Sequence, residues 1–544
     1  MDGEIFVKKV VGEKSIESCY NITSIIPKNC AEKEYIALIS SCQSYLKIGI
    51  YGFQSKEAYF HIVVSDIQGF INGIAKIFDS KIKAVILEVY GFSSEKFPNN
   101  IQFCKALKAK FDAIPYSFIS DYNFLLTKIL VAVNISVKLG EFILVLLIAE
   151  NYFEIVVLEY TENGHEVLRH QRMNDMEVDA DELRERILGE TVFQKILFCS
   201  WKGDNQVENT LKNVLKAETK KFVMINLIND SKFIGAGLIE ESKWILDKKY
   251  TKFHVLPTCA RIYVIGFERG DEKLTPLYEK FSVALPYENS VIVPKSCFNY
   301  FIGYVDEVTS QFVALENFTL NGNYHEYEIT LKIDINNEPS YEIHGKIVVQ
   351  ILDLPNLGNN RIGEEYWDEE PIIGFYDNYS FVCLFNDEKD EYEFMESWGG
   401  CWGKQMHIAF DKEKPYYGKA AEETYAKSGK FVVYDLIRVM SRTVEELKEY
   451  KPRGFTITSD DENPILIEFE TFDGTKKAAS PAFLMALLLK QHLKAIKKKT
   501  GKRPTKLGFC ILDYFDDDEV ENIQKHLDEA RKLVKLDGIS FFYW

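Results

Sequence analysis

Two stretches of the chain follow one pattern: INGIAKIFDSKIKAVILEVYGF at residues 71–92 and KQHLKAIKKKTGKRPTKLGFCILDYF at residues 490–515. Each begins with an amphipathic helical period, passes through a polar break that contains lysine, and continues as an apolar strand. In the second stretch, Gly501 is the glycine that commonly follows a helix. A further helical segment follows each stretch, at residues 100–111 and 519–534. The pattern predicts partial copies of one α/β unit at the two ends of the chain.

The residues between these copies have a different period. From residue 327 to residue 335 apolar and polar side chains alternate, as is typical of a half-buried strand, and a turn at residues 336–339 leads into a partner strand at residues 341–349. Further strands are expected at residues 261–267, 279–285 and 299–305. We therefore predict an antiparallel β domain, followed by an acidic linker at residues 351–370.

The composition limits the possible classes of protein. The chain has 544 residues, a net charge of −17, 46% hydrophobic residues and 27% charged residues. This length predicts about three or four domains, and the composition is that of a folded protein rather than a disordered one. A strongly acidic chain is a poor match to phosphate backbones, so we expect no nucleic-acid partner. The lysine run at residues 497–499 comes where a helix is expected to end, and it complements the helix dipole there.

Signals for export, membrane insertion and metal binding are missing from the sequence. The first residues are acidic, and the longest apolar runs, at residues 142–149 and 482–489, are far shorter than the roughly 20 residues of a membrane span. The cysteines include no Cys-x-x-Cys pair and the histidines no His-Glu-x-x-His motif. The acidic run at residues 516–519 could bind a divalent ion, but its position favours helix capping. We expect a cytoplasmic protein with free thiols, no membrane partner and no metal site.

Several motifs near the carboxyl terminus resemble the 70-kilodalton heat-shock chaperone family, whose nucleotide-binding domain has the actin-like ATPase fold. Residues 372–385, IIGFYDNYSFVCLF, are similar to the family's opening strand–loop–strand, I-G-I-D-L-G-T-T-Y-S-C-V-x-V-F. Residues 433–442, VYDLIRVMSR, are similar to V-[FY]-D-x-K-R-L-I-G-R. Residues 502–519 resemble K-x-V-T-x-A-V-x-T-V-P-A-Y-F-N-D-x-Q. The resemblance implies one lobe of the nucleotide-binding domain at residues 371–544.

The rest of the chain resembles other parts of the same family. Residues 142–164 are similar to its second phosphate hairpin, and FIGAG at residues 233–237 to A-x-G-A-A. LTPLYEKFSVALP at residues 274–286 and ITLKIDINN at residues 329–337 resemble strands of its substrate-binding β-sandwich, and its helical lid has no counterpart. The amino-terminal copy enters the family pattern near residues 11–12, as if its opening strands were missing.

The implied protein has several domains: actin-like (ribonuclease-H-like) α/β lobes and an antiparallel β-sandwich. Residues 1–250 would form a partial nucleotide-binding domain that lacks its opening strands. The sandwich would occupy residues 251–350 and the acidic linker residues 351–370. A second partial nucleotide-binding domain would occupy residues 371–544.

The resemblance also implies which residues would contact a nucleotide. In the family, glycine-rich loops hold ATP or ADP with Mg²⁺, and a lysine assists the reaction. Here the loops are shorter and lack their glycines, and the lysine position falls on Ile437 in one copy and on Thr23 in the other. We therefore assign no catalytic residue. The candidate nucleotide-binding residues are Gly374, Asp377, Asn378, Asp435, Arg438, Asp121, Glu150, Asn151 and Gly235.

The resemblance predicts a heat-shock-chaperone-like protein with an ATP-binding and protein-folding role, whose ATPase activity is impaired or lost. Two alternatives remain open at this point. One is an active ATP-dependent chaperone that binds unfolded proteins, and the other is a non-catalytic interaction protein or a truncated gene product. The expected partners are unfolded or extended polypeptides and co-chaperones. Residues 371–544 could also pair with residues 1–350, within one chain or between two.

Overall fold

The computed structural model describes residues 7–542 except for residues 12–13, 17–24, 27–31, 43, 65, 112–113, 175–178, 202–205, 228–230, 270–271, 281–282, 296–298, 306–311, 321–323, 363–368, 451 and 453. The first unit, residues 7–132, is built on a mixed sheet. Its elements are β1 (Val7–Val11), β2 (Lys14–Ile16), β3 (Tyr35–Cys42), β4 (Tyr45–Gly52), β5 (Ala58–Val64), α1 (Ile67–Ile77), β6 (Ile82–Glu88), α2 (Asn100–Lys108), β7 (Tyr116–Phe118) and α3 (Asp121–Ala132). The strand order is β2-β1-β5-β4-β3-β6-β7.

The helix predicted at the start of residues 71–92 is the amphipathic helix α1, which packs on this sheet. Asp66 caps α1 by accepting a hydrogen bond from the Gly69 N–H. The buried face of α1 consists of Ile67, Phe70, Ile71, Ile74 and Ile77. These side chains share a core with β3, β4 and β6.

The second unit, residues 142–246, repeats the strand order of the first. Its elements are β8 (Phe142–Ile148), β9 (Phe153–Thr161), β10 (Gly164–Met173), α4 (Ala180–Leu188), β11 (Phe193–Ser200), α5 (Gln206–Val214), β12 (Phe222–Asn226) and α6 (Ser231–Leu246). The order β10-β9-β8-β11-β12 corresponds to β5-β4-β3-β6-β7 of the first unit. In the first sheet β5, β4 and β3 pair antiparallel to one another, and β3, β6 and β7 pair parallel to one another. In the second sheet the corresponding strands pair in the same way.

The expectation that residues 1–250 lack opening strands is wrong. Strands β3 and β4 form an antiparallel hairpin directly before β5 and α1, with Cys42 paired to Tyr45 across the turn. The hairpin escaped the motif comparison because its turn contains none of the glycines by which an opening phosphate loop is recognised. Thr23 lies outside the described residues and precedes β3, whereas Ile437 follows the opening strands of its own sheet, so the two positions are not equivalent.

The predicted antiparallel β domain is confirmed as two packed sheets. Its strands are β13 (Ile262–Arg269), β14 (Glu272–Lys280), β15 (Tyr287–Pro294), β16 (Asn299–Val305), β17 (Phe312–Thr319), β18 (Glu326–Ile333) and β19 (Pro339–Lys346). The sheets have the orders β14-β13-β16-β17 and β15-β18-β19. Tyr300 and Ile302 from one sheet share a core with Ile329 and Leu331 from the other, so the domain is a sandwich. Of the strand predicted at residues 279–285, residues 279–280 end β14, residues 281–282 lie outside the described residues, and Ala284 forms an isolated bridge with Thr258.

The interpretation of residues 351–370 as a linker is wrong for its first part. Residues after the sandwich form α7 (Val349–Leu352) and α8 (Leu354–Asn359). Ile351 and Leu354 are fully buried in a core with Ile372, on one face of the last sheet. The acidic run at residues 363–368 lies outside the described residues.

The tail unit, residues 372–542, contains the third sheet of the same order, β22-β21-β20-β30-β31, together with two small three-stranded sheets. Its elements are β20 (Ile372–Tyr376), β21 (Tyr379–Asn386), β22 (Glu391–Phe394), β23 (Lys404–Gln405), β24 (Ile408–Ala409), β25 (Tyr416–Tyr417), α9 (Lys419–Lys427), β26 (Val432–Val433), α10 (Leu436–Ser441), α11 (Val444–Glu449), β27 (Thr456–Thr458), β28 (Leu466–Glu470), β29 (Lys476–Ala479), α12 (Pro481–Thr500), β30 (Lys506–Ile511), α13 (Asp517–Val534) and β31 (Gly538–Phe542). Helix α12 and strand β30 occupy the places of α1 and β6, as the repeated pattern predicts. Among the described helices, none is long and apolar enough to cross a membrane.

The sandwich contacts both the first unit and the tail unit. Toward the first unit, Arg261 is buried and donates a hydrogen bond to the Asn100 side chain. Toward the tail unit, Lys295 donates to the Trp402 carbonyl at 2.7 Å, and His325 Nε2 lies 2.8 Å from the Cys401 carbonyl. The sandwich therefore contacts units from both ends of the chain.

Candidate functional site

The first hairpin of the tail unit ends in a turn of only two residues, Asp377 and Asn378. Tyr376 pairs directly with Tyr379 on either side of this turn. Asp377 has a φ of 49°, in the left-handed region that aspartate and asparagine tolerate better than most side chains. At the position that the resemblance aligns with a phosphate loop, the structure has a tight hairpin with no room for a glycine-rich cradle.

Asp513 supplies an anion to the turn from a neighbouring strand. It follows β30, which is parallel to β20, with Phe375 in register with Ile511. Because the carboxyl ends of parallel strands meet at one edge of a sheet, Asp513 arrives beside the turn. Its carboxylate accepts a hydrogen bond from the Asp377 N–H at 2.6 Å. A backbone donor in the turn is thus occupied by the protein's own carboxylate.

Asp435 completes the group that we call the carboxylate cluster: Asp377, Asp435 and Asp513. The Asp435 N–H donates to the Asn378 side chain at 2.9 Å, and the Tyr450 hydroxyl donates to the Asp435 carboxylate at 3.2 Å. Asn378 is buried, and its Nδ2 lies 3.0 Å from Nδ1 of His407.

Arg438 is the cation closest to this group in the predicted set. Its guanidinium lies 3.8 Å from the Asp435 carboxylate, and its side chain is half exposed. The structure therefore brings together Asp377, Asn378, Asp435 and Arg438, four of the residues that the sequence indicated.

The electrostatics of the cluster favour protonated acids. Burial, followed by the charges of Asp435 and Asp513, raises the pKa of Asp377 to about 7. Burial is also the main reason that the pKa of Asp513 rises to about 6, and it raises the pKa of Asp435 above its ordinary value. Glu326 of the sandwich adds a further negative charge nearby, where it accepts a hydrogen bond from the Tyr376 hydroxyl at 2.6 Å. A polyphosphate brought to this site would meet several carboxylates and one exposed arginine.

Two predicted positions have structural roles in the tail unit. Ile437, at the family's lysine position, is 1% exposed and belongs to the core around β20 and α12. Gly374 lies under α8, and a Cβ atom built on it would meet Leu354 Cδ2 at 2.6 Å. This glycine allows close packing of α8 on the sheet.

The remaining candidates lie on separate elements of the first two units. Glu150 and Asn151 are exposed in the turn between β8 and β9, which the Ala149 N–H closes by donating to the Tyr152 carbonyl at 2.9 Å. Asp121 is in the first turn of α3. Gly235 lies in α6, where a Cβ atom would meet the Lys56 carbonyl at 1.8 Å, so its role is close packing between the two units.

Sequence reasoning missed Asp513, Tyr450 and Glu326. For Asp513 a signal was present, since an acid that follows an apolar strand stands at the carboxyl edge of a sheet. The motif comparison concealed it by aligning this residue with the alanine of P-A-Y-F. For Asp516 the capping interpretation is confirmed, because Asp516 and Glu519 form a reciprocal capping box at the start of α13.

The residues at this site do not fit a bound ATP·Mg²⁺. The turn is too tight to cradle phosphates, one of its N–H groups is taken by Asp513, and the lysine position is a buried isoleucine. Within the described ranges, no three histidine, cysteine or acidic side chains are arranged to hold a metal ion.

Comparison with known proteins adds no family assignment, since no protein-family model and no curated protein matches this chain.

Proposed function

We propose that this protein is a heat-shock-chaperone-like protein that binds extended polypeptides and does not hydrolyse ATP. Three sheets with one strand order support actin-like lobes, and the two-sheet sandwich that follows the second unit supports a substrate-binding domain. The order along the chain supports the proposal as far as the sandwich, since two such units precede it as in the family, and the third unit after it is an addition. Its expected location is the cytoplasm.

The observation that carries the loss of activity is the hydrogen bond from the Asp377 N–H to the Asp513 carboxylate. Phosphoryl transfer in this kind of site depends on backbone N–H groups, a cation and a positioned water. Here the Asp377 N–H already donates to the Asp513 carboxylate, and further acidic side chains lie nearby. Loss of a single stabilising donor typically slows an enzyme by roughly 100- to 1000-fold. Replacement of hydrogen-bond donors by anions should also slow the reaction.

The test is a pair of measurements on the full-length chain. Phosphate release from ATP with Mg²⁺ should equal the background, and calorimetric titration should give no heat of binding for ATP or ADP at millimolar concentrations. The matched control is Asp377→Ala: any phosphate release that persists unchanged in this variant does not come from this site. Turnover that disappears in Asp377→Ala would support the active ATP-dependent chaperone instead.

The polypeptide-binding part of the proposal has its own test. Because the helices that follow the sandwich in the described residues, α7 and α8, pack on the last sheet and do not form a lid, fluorescent extended peptides should bind weakly and dissociate quickly, at a rate that ATP does not change. The full-length protein should also delay the aggregation of a thermally unfolding enzyme. If neither peptide binding nor delayed aggregation is observed, the non-catalytic interaction protein becomes the better description.

A further inference from the structure

A groove runs between α11 and β27 in the tail unit, away from the β-sandwich. It encloses about 480 Å³, which is within the usual range for a ligand site. Its floor is apolar: Leu447 is 2% exposed, Phe455 3% and Ile465 9%. Thr456 and Thr458 stand exposed along one wall. The groove therefore combines an apolar floor with a wall that is itself a strand.

That wall is the edge of a sheet. β27 stands at the end of the order β27-β28-β29 and pairs, in the described part of the chain, with β28 alone. Its sequence, Thr-Ile-Thr, contains neither a charge nor a proline. The opposite edge, β29, carries Lys476 and Lys477, both exposed. Lysines on an edge strand hinder further strand pairing, so one edge of this sheet carries charges of this kind and the edge facing the groove carries none.

The charge at the rim indicates what kind of segment would fit. Lys448 is the one charged side chain among the described residues that line the groove. The Glu445 carboxylate lies 3.9 Å from its ammonium group, and both side chains are more than two-thirds exposed. An ion pair this long and this exposed contributes little, so Lys448 can pair with an incoming carboxylate.

We propose that this groove binds an extended acidic–apolar segment of a partner polypeptide, which adds to β27 as a fourth strand. Backbone hydrogen bonds along the edge would supply affinity. Alternate apolar side chains would pack on Leu447, Phe455 and Ile465, and a carboxylate would lie beside Lys448. The site does not depend on the sandwich or on a nucleotide, so it stands whether or not the proposed chaperone function does.

The test uses the full-length protein and a fluorescein-labelled heptapeptide in which valines alternate with threonines and the last residue is glutamate. Fluorescence anisotropy should show saturable binding that Lys448→Glu weakens at least 5-fold. A second peptide, with lysine in place of the glutamate, should bind the Lys448→Glu variant better than the parent protein. A third peptide, N-methylated on alternate residues, should bind at least 10-fold more weakly because one of its edges cannot donate hydrogen bonds.

Lys448 is exposed, and an unchanged melting temperature of the Lys448→Glu variant will show that the fold is intact. Lys448→Gln, which should weaken binding of the acidic peptide less than Lys448→Glu, provides a second variant. Absence of binding would overturn the proposal. Equal binding of the N-methylated peptide would also overturn it, since the groove would then accept apolar groups without strand pairing. Equal affinity of the parent protein and Lys448→Glu for both charged peptides would exclude recognition of a carboxylate.

Discussion

The Asp377 N–H donates to the Asp513 carboxylate over 2.6 Å, although 136 positions separate the two residues in the chain. The bond joins a hairpin turn to the end of a neighbouring parallel strand. In a nucleotide-binding protein of the proposed fold, a donor at this turn would face a phosphate. Here the donor faces the carboxylate of Asp513. The position of a phosphate is thus taken by a group of acids whose pKa values are raised.

Replacing Asp377 by Asn should stabilise the protein at pH 8. The pKa of Asp377 is about 7 in the folded protein, whereas an unfolded aspartate has a pKa of about 3.9. The folded state therefore binds more protons between these values, and the contribution of Asp377 to stability decreases as the pH rises through that window. Asparagine accepts the left-handed backbone at this position. We expect a gain of about 1–2 kcal/mol at pH 8 and almost none at pH 4, measured by urea unfolding.

The matched control for this variant is Asp390→Asn. Asp390 also has a left-handed backbone, with a φ of 57°, but it is exposed. Its replacement should change stability by less than about 0.5 kcal/mol at either pH. Comparison of each variant with the parent protein is essential, because burial lowers the pKa of His165 and His492 to about 4 and these groups destabilise the fold as the pH falls below their unfolded value. Equal stability of Asp377→Asn and the parent at both pH values would contradict the prediction.

Ile437→Lys should destabilise the protein and should not produce ATP hydrolysis. Ile437 is 1% exposed, so the substitution places an ammonium group in the core of the tail unit. We expect a loss of about 3 kcal/mol or more in the free energy of unfolding. Ile437→Met, which preserves volume and polarity, should cost less than about 1.5 kcal/mol. A stable lysine variant that hydrolyses ATP would show that the lysine position was the only missing part.

Gly235→Ala should destabilise the protein much more than Gly237→Ala, although both glycines lie in α6. A Cβ on Gly235 would meet the Lys56 carbonyl at 1.8 Å, so α6 must move away from the first unit. A Cβ on Gly237 would meet Lys128 Cγ at 3.1 Å and the buried Phe124 ring at 3.3 Å, so these neighbours need to shift by only a few tenths of an ångström. We expect Gly235→Ala to cost about 2 kcal/mol, whereas Gly237→Ala should change stability by less than about 1 kcal/mol, because the gain from helix propensity offsets the tight contact. Thermal unfolding measures both. Equal melting temperatures of the two variants would show that Gly235 has no special role in packing.

Arg261→Met should weaken the junction between the sandwich and the first unit. Arg261 is 4% exposed, donates to the Asn337 carbonyl at 3.1 Å and lies 4.8 Å from the centre of the Tyr90 ring. Methionine fills the space but leaves the Asn337 carbonyl without this donor and removes the cation–π contact. We expect a loss of about 2–3 kcal/mol and, in calorimetry, separation of one melting transition into two.

The control for Arg261 is Lys105→Met. Lys105 forms an exposed ion pair with Glu338 across the same junction at 3.3 Å. Such pairs contribute less than about 1 kcal/mol, so the variant should melt nearly like the parent. A similar loss in both variants would mean that surface charge, and not the buried arginine, connects the two units.

Periodic patterns in the sequence identified the helices and strands whose apolar residues recur at regular spacing. The helix and strand pair at residues 71–92, its copy at residues 490–515 and the alternating strand β18 are all seen in the structure. Each is recognisable because a helical or alternating period is written in adjacent residues. The same reasoning missed the hairpin β3–β4, whose turn lacks glycine, and treated α7 and α8 as linker because these helices are short and acquire stability from the sheet beneath them.

What the sequence by itself determined is therefore the set of α/β and β segments, the lack of glycine in the turns at residues 149–152 and 377–378, and an apolar residue at Ile437. Only the tertiary structure decided that Asp377, Asp435 and Asp513 form one cluster, that Asp513 occupies the turn and that β27 presents a free edge to an apolar groove. The physical reason is that a side chain's charge and a strand's pairing partners depend on residues far along the chain. Their positions are set only when the parallel strands β20 and β30 come together and the sheets reach their final order.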